Sequence, residues 1–177
     1  MEPETPKINL KAIRSEAGLS LAQAAERTGV SKAMLGQIER GESSPTLITL
    51  WKLAKGFHLP LTAFLDSTAS KPPAPVSFPE SIGFRTLFPY DPALGSESFL
   101  LTLNPGQTHV SHPHDAGVVE DIFVTEGTLE LQTDGPWTRI PAGEAIRFKA
   151  DQPHSYRNLT DAPTRFHNTM HYPRSLG

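Results

Sequence analysis

Near the start of the chain Leu10, Ile13 and Ala17 recur at helical spacing, and Gly18 offers an end to that first helix. Ser20-Leu21-Ala22-Gln23 comes next with a capping-box pattern, in which Ser20 serves the N3 amide and Gln23 reaches back. Leu21, Ala24 and Ala25 share the next helical face, and the two alanines let a steeply crossing partner come close. Thr28-Gly29-Val30-Ser31 predicts a turn: Gly29 accepts positive φ, Val30 plugs the corner and Ser31 caps the next helix. That third helix is expected over Lys32-Ala33-Met34-Leu35-Gly36-Gln37-Ile38-Glu39-Arg40, stopping at Gly41. Leu35 and Ile38 would point inward, with Lys32, Ala33, Met34 and Gln37 on the other side. Ser44-Pro45 reads as an N-cap and N1 proline opening a fourth helix through Leu47, Leu50, Trp51 and Leu53, with Trp51 in the core. Leu61, Ala63 and Phe64 predict a short fifth helix, making residues 1–66 a compact five-helix unit.

After Phe78 the helical period is lost. Phe84–Phe88, Ser98–Leu103 and Ile122–Val124 are β-like, punctuated by turn signals at Asn104-Pro105-Gly106, Glu126-Gly127, Thr133–Pro136, Pro141–Gly143 and Ala150–Pro153. Short strands with frequent turns and no helical insertion predict a sandwich or barrel over residues 80–177. Between the two patterns, residues 67–79 hold four prolines among small polar residues and read as a partly extended linker. The fold class expected is therefore two-domain, an α-helical unit followed by a β unit.

Charge sharpens this division. The chain of 177 residues carries a formal net charge of −3, an unpromising figure for a nucleic-acid binder taken alone. Residues 7–70 nevertheless sum to +3 and residues 71–177 to −4, which permits a polyanion contact on the first half. Cysteine is absent, which excludes disulfides, zinc–thiolate sites and thiol nucleophiles, so any metal site must use His and carboxylate. No apolar run approaches the length of a membrane span, and the acidic start lacks an apolar leader core; a cytoplasmic protein is expected.

The stretch from Ser20 to Arg40 closely resembles the lambda-repressor-like helix-turn-helix of XRE-family regulators, keeping the Ala-Ala, Gly-Val-Ser and Ile-Glu-Arg-Gly elements at the expected spacings over a match covering residues 7–66. That resemblance implies that the third helix enters the major groove of a double-stranded DNA operator. Lys32, Ala33 and Gln37 would be the base-reading positions, with Met34 beside them. Glutamine can pair bidentately with adenine, lysine can donate to guanine, and Ala33 or Met34 can touch a thymine methyl. Ser20, Gln23, Ser31, Arg40, Ser43 and Ser44 are the expected backbone contacts. By the same resemblance Arg14 and Glu39 form a partly buried pair holding helix one to helix three.

In the second half, Gly106-x5-His112-Pro113-His114-x5-Glu120-x6-Gly127 and Gly143-x10-His154-x3-Asn158 look like the two motifs of the cupin superfamily, a jelly-roll-like β-barrel, with a resemblance spanning residues 80–173. On an extended segment His112 and His114 would share a side with Cα atoms about 7 Å apart. The family's metal ligands carry over to His112, His114, Glu120 and His154, a set suited to zinc, iron, manganese or nickel. Two departures stand out: five residues separate His114 from Glu120 where the family usually has three or four, and Lys149 and Asp151 replace the second motif's usual Pro and Gly. A metal-free cupin is the competing reading. Arg147 and Tyr156 are the effector-binding candidates, with Arg85 and Arg157 also near the expected mouth, because an arginine there could clamp a carboxylate. His109 is expected outside the site; His58, His167 and His171 are expected to be surface or core residues; Phe88, Tyr90, Phe123 and Trp137 are expected to be core or dimer contacts.

Together the halves resemble XRE-family transcriptional regulators with a C-terminal cupin sensor, including a group linked with sulfur-metabolism control, to which Ser31–Thr46 and Leu87–Pro92 are similar. The resemblance implies a non-enzymatic, sequence-specific regulator whose cupin domain dimerises the chain and binds a small effector. The alternative is a metal-dependent cupin oxygenase or isomerase with an appended helical module.

Overall fold

A computed structural model describes residues 8–65 and 82–173. The chain divides into two compact units, Met1–Pro73 and Ala74–Gly177; the expected linker at 67–79 lies outside the described residues.

The first unit contains α1 (Leu10–Glu16), α2 (Leu21–Thr28), α3 (Lys32–Glu39) and α4 (Leu47–Phe57). Its boundaries reflect local chemistry. Ser20 accepts a bond from the Gln23 amide at 3.3 Å while Gln23 Oε1 accepts from the Ser20 amide at 2.9 Å, so both halves of the capping box form. Gly29 closes α2 at φ +66°, a value costly for residues with a Cβ, and Ser31 caps α3 through the Met34 amide at 3.2 Å. Leu10, Leu35, Leu53, Leu61 and Phe64 are fully buried at the centre. The close approach expected of the α2 alanines is completed by Gly56 of α4, where a Cβ would sit 2.7 Å from Thr28 Cγ2.

Three local expectations are corrected. The fifth helix is a single 3₁₀ turn, Leu61–Phe64, so the described residues of the unit hold four α-helices. Pro60 precedes that turn, and beyond it Leu65 is extended to bridge Ile8 while the Phe64 carbonyl accepts from the Asn9 amide at 2.9 Å. The α4 cap is Thr46, whose hydroxyl accepts from the Thr49 amide at 3.1 Å; Ser44 lies two residues too early, and Pro45 is buried before the helix begins. Trp51 is half-buried on α4.

Among its described residues the second unit has nine strands: β1 (Gly83–Asp91), β2 (Ser96–Leu103), β3 (Thr108–Ser111), β4 (Val119–Glu126), β5 (Thr128–Gln132), β6 (Thr138–Pro141), β7 (Ala145–Lys149), β8 (His154–Arg157) and β9 (Thr164–His171). They form a five-stranded sheet in the order β1-β2-β9-β4-β7 and a four-stranded sheet in the order β3-β8-β5-β6, antiparallel throughout. Period-two alternation sends Phe99, Leu101, Leu103, Ile122, Val124, Phe166 and Met170 inward from the larger sheet. Leu129, Leu131, Ile140 and Tyr156 do the same from the smaller one. Asn158 secures the exit from β8, donating to the Leu103 and Ala162 carbonyls at 3.1 and 2.7 Å. No helix among the described residues is long and apolar enough to cross a membrane.

Candidate nucleic-acid interface and candidate metal centre

In the helical unit, α3 has two sharply different sides. Leu35, Gly36 and Ile38 are buried, whereas Lys32, Ala33, Met34 and Gln37 are exposed, as their spacing predicted. The helix is held from behind by Arg14 of α1, whose Nε and Nη2 donate to both carboxylate oxygens of Glu39 at 2.6 and 2.9 Å and whose Nη1 donates to the Leu19 carbonyl. This half-buried bidentate pair fixes the far end of α3 against α1.

Among the expected backbone-contacting residues, Ser20, Gln23, Ser31, Arg40 and Ser44 are exposed and Ser43 is half-buried. Ser20 and Ser31 use their hydroxyl oxygens as acceptors within the caps, which leaves their hydroxyl hydrogens to be donated outward. Gln23 likewise commits Oε1 to the Ser20 amide and retains its two N–H donors. Ser43 lies beside Met34 at 3.9 Å, and Ser44 is exposed. Arg40 brings a feature with no sequence forecast: its Nε and Nη2 both donate to Glu42 at 2.7 Å, and its Nη1 lies against Gly36. The pair is open to water, and Glu42 competes directly with any phosphate for the guanidinium.

In the barrel, three ligand atoms converge. His114, Glu120 and His154 each offer one atom, and all three lie within 4.8 Å of one another. Glu120 faces inward from β4 and is almost wholly buried; His154 begins β8; His114 is set on the loop between β3 and β4 by its amide bond to the Ala150 carbonyl at 3.0 Å. His114 Nε2 is 2.9 Å and His154 Nε2 3.6 Å from Glu120 Oε1. The other oxygen, Oε2, accepts from Tyr156 at 2.5 Å and from Asn168 Nδ2 at 2.6 Å. Burial works to raise the Glu120 pKa, but the neighbouring imidazoles of His114 and His154 hold it well below the usual carboxylate range. For His154, burial favours the neutral ring, yet the neighbouring Glu120 carboxylate and the Gln152 carbonyl raise its pKa overall. Tyr156 is pushed well above its ordinary value by burial and by the Glu120 charge.

The donor set fits a divalent cation. His154 Nδ1 lies 2.9 Å from the Gln152 carbonyl, an arrangement that places the ring hydrogen on Nδ1. Its Nε2 is then a lone pair, buried and without a hydrogen-bond partner. Two imidazole nitrogens and one carboxylate oxygen suit zinc, iron, manganese or nickel.

Two of the sequence candidates fall elsewhere. His112 is exposed and outside the converging set, because β3 ends at Ser111 and Pro113 has no N–H with which to continue the ladder. The same-side placement of His112 and His114 presumed an extended strand that is not there. Arg147 points away from the interior: alternation along β7 turns Phe148 toward His154, their ring centroids 5.2 Å apart, and sends Arg147 outward onto Asp121 at 2.5 and 2.6 Å. It is 69% exposed and is not placed to meet a ligand inside the barrel. Arg85 is exposed, and Arg157 pairs with Glu130 and lies 3.9 Å above the Trp137 ring. Phe88 and Phe123 are exposed, and Tyr90 and Trp137 half-buried, so none of these aromatics is core.

His109, expected outside the site, is not one of the three converging residues. It faces inward from β3, stacks on Tyr156 at an interplanar angle of 10°, and is 7% exposed. Burial, together with the charge of His154, depresses its pKa from 6.5 to about 4. Asn168 was missed, although a polar residue between inward-facing Phe166 and Met170 is a legible signal of a buried polar role.

Comparison with known proteins resolves the family. A helix-turn-helix model matches residues 10–64 and a cupin-domain model residues 99–170. The HTH-type transcriptional regulator SutR of Escherichia coli K12 is 46% identical over 168 residues, covering 94% of each chain. The chain belongs to the XRE-type helix-turn-helix regulators that carry a cupin domain. A crystal structure of an HTH_3 family transcriptional regulator from Vibrio cholerae matches this XRE-type regulator with a TM-score of 0.83 and 46% identity, covering 93% of both chains. The cupin domain of an XRE-family regulator from Enterobacter cloacae matches with a TM-score of 0.52 and 40% identity, covering 53% of this chain and 99% of that one. The protein is thus a transcriptional regulator with a helix-turn-helix DNA-binding domain and a cupin domain.

Proposed function

We propose that this regulator binds a palindromic operator as a homodimer, reads bases with Lys32, Ala33 and Gln37 of α3, and uses its cupin domain as the sensor of a small effector. The observation that carries the proposal is the division of α3, with Leu35, Gly36 and Ile38 buried and Lys32, Ala33, Met34 and Gln37 presented together. Ser20, Gln23, Ser31, Ser43 and Ser44 supply donors to phosphate around that face, and Arg40 joins them once released from Glu42. Two chains related by a two-fold axis would read half-sites about one helical turn, or a multiple, apart. The domain limits proposed are 1–66 for the helix-turn-helix domain and 80–177 for the cupin domain, joined by a linker at 67–79.

In the barrel, His114, Glu120 and His154 would hold a divalent cation, which would supply a Lewis-acidic point for an anionic or carbonyl-bearing effector. Tyr156 belongs to the support of that site rather than to an open ligand surface, since it is 2% exposed. The same cluster is what favours a second reading, a metal-dependent oxygenase or isomerase. The regulators among the relatives support the sensor reading instead. An effector must bind the DNA-competent and incompetent states with different affinity in order to act.

The test is a footprint of the operator, then binding titrations of Lys32→Ala and Gln37→Ala. Each should lose about 1–3 kcal/mol of specific affinity. Native operator affinity in both variants would overturn the assignment of the reading face.

A further inference from the structure

The Glu120 carboxylate is not symmetrically available. Its Oε1 faces the two imidazoles, at 2.9 Å from His114 Nε2 and 3.6 Å from His154 Nε2. Its Oε2 is taken by two donors from different sheets, the Tyr156 hydroxyl on β8 and the Asn168 amide on β9. All three residues are at most 4% exposed, so water does not compete for these bonds.

We infer that Tyr156 and Asn168 are positioning residues that restrict Glu120 to one-oxygen ligation, so that a divalent cation meets His114 Nε2, Glu120 Oε1 and His154 Nε2 and no fourth side chain of the sequence motif. This inference rests on the metal reading of the same cluster. Its physical basis is the directionality of two hydrogen bonds at one oxygen: a carboxylate held from two sides cannot rotate to chelate through both oxygens without breaking both bonds. Tyr156 is itself wedged in place, stacked on His109 and edge-on to His154 and Phe148. Asn168 is fixed by the ladder between β4 and β9, where it lies opposite Ile122. The unusually long spacing from His114 to Glu120 is consistent with this arrangement, because the residues between them form the loop that swings His114 across to the Oε1 side while Pro113 leaves His112 in solvent.

The experiment uses the full chain, stripped with a chelator and titrated with zinc and with cobalt(II) as the spectroscopic probe. Tyr156→Phe keeps the ring and removes only the oxygen, and Asn168→Ala serves as the second variant should the first fail to fold. Each should weaken cobalt and zinc binding by about tenfold to a hundredfold and change the cobalt visible bands in position and intensity, because Oε2 is freed. A purely structural role would lower the melting temperature of the stripped protein while leaving the cobalt spectrum of the loaded protein as it was. His112→Ala should bind cobalt as the native chain does. Native affinity and native spectrum in Tyr156→Phe, or loss of binding in His112→Ala, would overturn the inference alone. A native chain that takes up neither ion would overturn the metal reading and the inference with it.

Discussion

The two halves carry their chemistry on opposite sides of their cores. In the helical unit the candidate residues on α3 lie on its water-facing side, and the core behind them is largely apolar, with the hydroxyls of Thr28 and Thr62 buried in it and the Arg14–Glu39 pair at its edge. In the barrel the candidate residues lie inside, where Glu120, His109, His154 and Asn168 are buried among Phe, Leu, Ile and Tyr. An outward site asks little of stability and can be altered freely. An inward polar site ties stability to pairing, because atoms left unpaired in a low-dielectric interior, such as His154 Nε2 and Asn168 Oδ1, are costly. The barrel is therefore the half in which function and folding are coupled.

That comparison can be broken most directly at Glu120. Removing its side chain in Glu120→Ala strands Tyr156, Asn168 and two imidazoles, and the barrel should lose about 3–5 kcal/mol of stability. The chain's two tryptophans, Trp51 and Trp137, fall one in each unit, so single-tryptophan backgrounds report the units separately in urea. The Trp137 transition should move to lower urea while the Trp51 transition stays in place. Movement of both by the same amount would show that the units are not independently coupled to this site.

A smaller effect is expected from acid. His109 is neutral in the fold down to about pH 4, whereas its ordinary value is 6.5, so the unfolded chain takes up the proton first as pH falls. Its contribution is complete above pH 6.5 and is lost between 6.5 and about 4, amounting to about 3 kcal/mol. In chelator-treated protein, His109→Phe should flatten the stability of the barrel over that interval. Glu120, held well below its usual range, acts in a separate and more acidic window, its contribution falling away below pH 4.5. An unchanged slope in His109→Phe would mean that the ring binds protons equally in the folded and unfolded chain.

The smallest effect is expected outside. Glu42→Ala frees the Arg40 guanidinium from both of its carboxylate bonds. Non-specific DNA affinity should rise a few-fold, and the dependence of log affinity on log salt should steepen by about one as Arg40 takes a phosphate. Stability should hardly move, since both partners are open to solvent. Weaker DNA binding in this variant would show that the pair positions Arg40 rather than restrains it.

How much could be read in advance obeyed the same division. Helical period three to four, a capping box and a glycine turn are local signals, and they placed α1 to α3 and the exposed side of α3; the Arg14–Glu39 pair was implied by the family resemblance. They failed where another signal won: Thr46 took the cap from Ser44, a local competition, and the long-range bridge of Leu65 to Ile8 follows a fifth helix of only one turn. In the barrel, strand content and the involvement of His114, Glu120 and His154 were legible. The parity of single residues was not. On β3 the apolar Val110 is 61% exposed and His109 takes the inside. On β7 Arg147 looked like a mouth residue until its pairing with Asp121 in the β4 register turned it outward.

Sequence by itself determined the two-unit division, the caps and turn that bound α2 and α3, and the residue types from which a site could be made, because these depend on interactions within a few residues. Tertiary structure decided which histidines meet Glu120, which oxygen of Glu120 they meet, and which arginines face solvent. A strand has only two faces, and a shift of one residue exchanges them; that choice is made by pairing with strands distant in the chain, so no local pattern contains it.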